Sequence, residues 1–108
     1  MSKEKTDDQE LLGLPKIDKI IHEPARLIIV AHLYVVESAD FLFLKRQTGM
    51  SWGNLSTHMS KLERVEYVKV SKEIVGKKIS TSVQLTDEGR SAFEEYRENL
   101  RKVAEALW

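Results

Sequence analysis

The residues best suited to chemistry lie between Ser51 and Arg64. At helical spacing Gly53, Ser56, Thr57, Ser60 and Arg64 share one face, with Asn54 and Lys61 on its flank. Leu55, His58, Met59 and Leu62 fall on the other, with Val65 at its edge. The polar side could recognise a ligand without catalysing a reaction. Glycine and serine permit close backbone approach, amides and hydroxyls exchange hydrogen bonds, and lysine and arginine attract phosphate. Lys77 and Lys78 supply a second cationic group beside Gly76, at the turn between two alternating runs. A small-faced polar helix followed by a lysine-tipped hairpin suits the groove of a nucleic acid.

Other chemistries find little support. His22, His32 and His58 fall on different expected elements without metal-ligand spacing, and neither a glycine-rich phosphate loop nor a nucleophile elbow is present. The chain has no cysteine, which excludes disulfides, thiolate zinc sites and a catalytic thiol. The carboxylates read as solvated helix faces. No enzyme activity, cofactor or metal is therefore expected. The longest apolar run, residues 27–36, is interrupted by His32 and too short to span a bilayer, so no membrane partner is expected. The opening MSKEKTDDQE lacks the apolar core of a signal peptide, and a cytoplasmic location is expected.

The formal net charge of zero conceals a division. Residues 1–44 carry five Lys/Arg against eight Asp/Glu, and residues 79–108 carry four against six. Residues 45–78 carry eight against three, a net of +5. Basic character thus coincides with the polar helix and the hairpin, as a phosphate-facing surface requires.

At 108 residues the chain affords one core. Residues 1–15 are polar and aperiodic, an expected flexible tail. Ile17, Ile20 and Ile21 suggest one or two helical turns before Pro24. Proline suits the first turn of a helix, so the first main helix should run from 22–24 to about 37, apolar around most of its circumference. Ser38 or Asp40 can cap a second helix over 41–47, with a short strand possible near Ala39; Gly49 fits a left-handed stop. Ser51 can cap a third helix reaching 64. Strands are expected over 67–72 and 79–85, with Val68 and Val70 facing inward and Ile79, Thr81, Val83 and Leu85 sharing one side. Thr86 can cap a last helix with Asp87 and Glu88 in its first turn. The expected fold is α+β and mainly α, with a core over 16–86 and a C-terminal helix over 87–108.

These segments resemble a known family. IHEPARLIIVAHL, FLFLKRQTGMSWGNLSTHMSKLE, YVKV and TSVQLTDEGRSAF, in this order and spacing, are similar to winged helix-turn-helix transcriptional regulators of the MarR/ArsR-like group, especially short single-domain members. The match covers about residues 21–95. Two departures stand out: relatives usually carry glycine where Glu66 stands, and the wing has Lys77-Lys78-Ile79 in place of a proline and arginine. A longer or differently bent turn is expected at Glu66.

The resemblance implies a double-stranded DNA-binding transcriptional regulator whose third helix enters the major groove. Ser51, Trp52, Gly53, Asn54, Ser56, Thr57, Ser60, Lys61 and Arg64 would then face DNA, and Lys77 and Lys78 the adjacent minor groove or backbone. Each has a plainer role open to it: Ser51 as a cap, Trp52 packed on the second helix, His58 in the core, the wing lysines as solubilising turn residues. On the last helix Phe93, Tyr96, Leu100, Val103 and Leu107 recur at heptad-like intervals and point to a homodimer interface. A small-molecule effector would have room between this helix and the winged core, although no polar constellation marks it. The competing function is a winged-helix module docking protein inside a larger assembly, which would need apolar residues exposed on the third helix.

Overall fold

A computed structural model of the chain describes residues 14–108. The tail expected over 1–15 lies outside the described residues, save Leu14 and Pro15, both half-buried. Helix α1 (Pro24–Val36) starts with proline in its first turn, and the Glu23 carboxylate caps it by accepting the Arg26 N–H at 2.9 Å. That hydrogen bond, helped by the charge of Arg26, holds the Glu23 carboxyl below its ordinary value. The isoleucine-rich piece before α1 is a single turn and no helix. His22 N–H reaches Asp18 O, and the Asp18 carboxylate takes the Ile20 and Ile21 N–H groups. A side chain that caps locally competes with helix propagation.

The short strand β1 (Ser38–Asp40) follows and passes directly into helix α2 (Phe41–Thr48), capped by Asp40 through the Phe43 N–H at 2.7 Å. Gly49 closes α2 at φ 73°, as its position suggested. Helix α3 (Trp52–Arg64) begins at the Ser51 cap, and strands β2 (Val68–Val75) and β3 (Lys78–Leu85) form the hairpin. The sheet order is β1-β3-β2, antiparallel throughout. Helix α4 (Asp87–Leu107) is capped by Thr86 through the Gly89 N–H.

One core unites these elements. Ile29, Val30 and Leu33 of α1 meet Leu44 of α2 and Leu55, Met59 and Leu62 of α3. Val68, Val83 and Leu85 close it from the sheet, and Phe93 and Tyr96 from α4. The last pair corrects the interface expectation. Phe93 and Tyr96 are 6% and 2% exposed, so this chain's own core covers them. A helix that must close the core and could also meet a partner shows one apolar period for both tasks. The core therefore extends past residue 86 into the first turns of α4.

The turn after α3 reveals what Glu66 does. Tyr67 N–H bonds to Leu62 O and Glu66 N–H to Glu63 O, the paired bonds of a Schellman closure. That closure needs a left-handed residue at position 66, and Glu66 adopts φ 65°. The chain keeps the turn where a longer or differently bent one was expected, and accepts the strain of a side chain there. Glu66→Gly should therefore stabilise the fold by about 0.5–1 kcal/mol, relief of strain outweighing glycine's extra unfolded entropy. Thermal unfolding followed by circular dichroism checks this; a lower midpoint would contradict it.

Tyr67 also anchors the segment before α1, donating its hydroxyl to Asp18 at 2.6 Å. Burial, reinforced by the Asp18 carboxylate, pushes its phenol well above the ordinary tyrosine value. Among the described residues no helix is long and apolar enough to cross a membrane.

Candidate nucleic-acid interface

The outer face of α3 is built from its cap outward. Ser51 Oγ accepts the Asn54 N–H at 3.1 Å, which satisfies one of the free N–H groups of the first turn. The inward stripe Leu55, Met59 and Leu62 is buried and fixes the helix's rotation. That rotation leaves Trp52, Gly53, Asn54, Ser56, Thr57, Ser60, Lys61 and Arg64 exposed together on one surface. Among the described residues no hydrogen bond or ion pair engages the side chains of Asn54, Thr57, Lys61 or Arg64.

Gly53 has nothing within 4 Å of where a Cβ would stand. Packing therefore gives no reason for glycine at an exposed helix position where alanine would be better by about 1 kcal/mol. Trp52 neither buries itself against α2 nor stands alone. It is 49% exposed, with Lys45 Nζ 5.4 Å from its ring centre.

His58 lies at the rim of the core, with its side chain 20% exposed. Arg26, only 8% exposed, donates from Nε to Ile20 O at 2.7 Å and from Nη1 to His58 Nδ1 at 3.1 Å. A guanidinium only donates, so Nδ1 accepts and the ring proton resides on Nε2. Glu23 Oε1 lies 3.8 Å from the same nitrogen. Arg26 thus ties the segment before α1 to the exposed helix, a role sequence reasoning missed. Its signal was an arginine standing in an otherwise apolar helix.

The hairpin places Lys77 and Lys78 at its tip, both exposed. Gly76 turns the chain at φ 65° while Lys77 keeps a negative φ, as a type II′ hairpin requires. Lys78 shares a trough with Trp52, on the side of α3 where its polar face begins; Lys77 does not line it. Lys69 and Lys72 add exposed charge along β2. Among the described residues no group of His, Asp and Glu could hold a metal ion.

This arrangement of helices, sheet and hairpin agrees with a family model for a winged helix DNA-binding domain, which matches residues 25–104. The chain belongs to that family. Its winged helix is 35% identical over 78 residues to an uncharacterized protein of Methanocaldococcus jannaschii, covering 72% of this chain and 85% of that protein. A transcriptional regulator homologue from Pyrococcus horikoshii OT3 superposes with a TM-score of 0.77 at 30% identity, over 82% of this chain and 87% of that one. AbfR of Staphylococcus epidermidis, solved bound to DNA, superposes with a TM-score of 0.59 over 98% of this chain and 77% of its own. At 17% identity that likeness concerns the fold alone. The α3 cap and the glycine stop before it are thus the turn of a helix-turn-helix, and the hairpin is a wing. Family and fold are those of DNA-binding transcriptional regulators, which are generally not enzymes.

Proposed function

We propose that this winged helix is a sequence-specific reader of double-stranded DNA acting as a homodimer in transcription regulation. The observation that carries the reading is the outer face of α3. Small and polar side chains without internal partners are displayed on a helix whose rotation the core fixes. Asn54 and Thr57 would bond base edges, with Gly53, Ser56 and Ser60 allowing the backbone close. Lys61 and Arg64 would hold phosphates, and the free N–H groups above Ser51 offer another phosphate site. Lys77 and Lys78 would meet the backbone or minor groove beside the site. A protein-docking winged helix should expose apolar residues on α3, where only Trp52 does so.

The seam left for a partner begins beyond Tyr96. Leu100 and Leu107 are 37% and 70% exposed, Val103 is half-buried and Trp108 ends the helix almost bare. A two-fold partner on this seam would set two α3 helices about 34 Å apart, one turn of duplex. A small-molecule effector would enter the cavity of about 390 Å³ between the segment before α1 and α4, lined by Asp18, Lys19, Tyr67, Tyr96 and Asn99 among others. That polar constellation was invisible in the sequence, because its members lie more than 80 residues apart at the extremes.

Two variants separate the roles. Lys77→Ala with Lys78→Ala should weaken binding to every duplex and reduce the salt slope by up to about two, since each lost phosphate contact removes roughly 0.9. Asn54→Ala should cost about 1–3 kcal/mol on the preferred sequence and little on others. Fluorescence anisotropy over a salt series measures both; equal losses on preferred and random duplexes from both variants would overturn the assignment.

A further inference from the structure

We infer that the wing works as an aliphatic wedge: Ile74 and Ile79 press into the minor groove flanking the sequence read by α3, while the lysines on the two faces and the turn of the hairpin hold the neighbouring phosphates. The inference rests on the DNA-reading role proposed above, and concerns a part of the surface which that role left unexplained.

The register pairs Ile74 with Ile79 across the hairpin. Side chains alternate along a strand, so this pair shares a face with Val68, Val70, Val83 and Leu85, which pack inward. Ile79 does share one side with Thr81, Val83 and Leu85, as alternation indicates. The helices end before the hairpin does, and the inward face continues into solvent. Ile74 is 78% exposed, Ile79 71% and neighbouring Val75 63%. β2 is also an edge strand, and exposed β-branched residues on a long edge invite self-association unless something covers them. Folding does not require these two isoleucines, since threonine also suits a strand pair.

Charge selects the occupant. Lys69, Lys72, Lys77 and Lys78 stand on this hairpin against one acid, Glu73. Lys72 shares the face of Ile74 and Ile79 and Lys77 stands at the turn, while Lys69 and Lys78 alternate onto the opposite face. Cationic groups thus flank the apolar tip on both sides and fit a partner that is apolar within and anionic at its edges. The minor groove has deoxyribose walls between rows of phosphate, and branched apolar side chains there wedge against base steps. The face also continues toward α3. Ile79 and Thr81 line a trough of about 500 Å³ with Leu42 and Trp52, so one strand of duplex could pass between wing and reading helix. Such a wedge favours flanks that deform readily, pyrimidine–purine steps above all.

The test uses the full chain, duplexes selected by the parent from a random pool, and the variant Ile74→Thr with Ile79→Thr. Binding should weaken about tenfold with an unchanged salt slope, because the lost contacts are apolar. Preference for TA-containing over G·C flanks should vanish, and Ile74→Val with Ile79→Val should restore it. A threonine variant that binds like its parent, or loses affinity equally on all flanks, overturns the wedge. So does a fall in mass by light scattering with DNA binding unchanged, which would make the patch a contact between copies. A parent that selects no duplex overturns the DNA-reading role and the wedge with it, whereas a selecting parent with an indifferent variant overturns the wedge alone.

Discussion

Gly89→Ala is expected to cost about 3–5 kcal/mol of stability, a large share of the roughly 5–15 kcal/mol available to a domain of this kind. A Cβ at position 89 would stand 2.1 Å from the Tyr67 carbonyl oxygen and 2.9 Å from Leu85 Cδ1. The leucine can turn away but the carbonyl cannot. It accepts the Thr86 N–H at 3.0 Å, and its residue is fixed by the Schellman closure after α3. Alanine's better helix propensity returns only about 1 kcal/mol, so the clash prevails. Chemical denaturation measures the balance, and a variant as stable as its parent would mean that α4 does not approach Tyr67 this closely. The same change at Gly53, where space is open, should leave stability equal or higher. Two glycines on helices are thus separated by one experiment, one kept by packing and the other free for a ligand.

The second large effect is expected from Leu100→Glu with Val103→Glu. Two carboxylates on the exposed half of α4 should split the proposed dimer and leave the protomer folded, because the core residues Phe93 and Tyr96 are untouched. Affinity for a two-fold site should then fall about a hundredfold or more, as each half binds without its tethered neighbour. Affinity for a single half-site should hardly change. Light scattering on the variant decides: an unchanged dimeric mass would remove α4 from the interface.

Much of the fold was legible because local chemistry and tertiary structure agree. Asp40, Ser51 and Thr86 cap the helices they precede, and Gly49 stops α2. The strand alternation set the inward face of the wing, and even the short β1 at Ala39 could be anticipated. What stayed hidden depends on where the core ends. Alternation alone could not show that Ile79 lies past the last helix, nor could a heptad spacing divide Phe93 and Tyr96, which serve the protomer, from Leu100 and Leu107, which remain exposed. Glu66 departs from the family pattern without changing the turn. A missing glycine suggested a different turn, but the hydrogen bonds of the turn cost more to lose than one left-handed glutamate costs to keep. The tie from Arg26 to His58 spans 32 residues and left only a misplaced charge as its trace.

On the proposed function, the face of α3 from Gly53 to Arg64 reads sequence. Selection of bound duplexes from a random pool, at a stated salt concentration, decides whether it does. An inverted repeat should emerge, its half-sites about one helical turn apart. A pool that stays random, with retention that merely fades as salt rises, would contradict it.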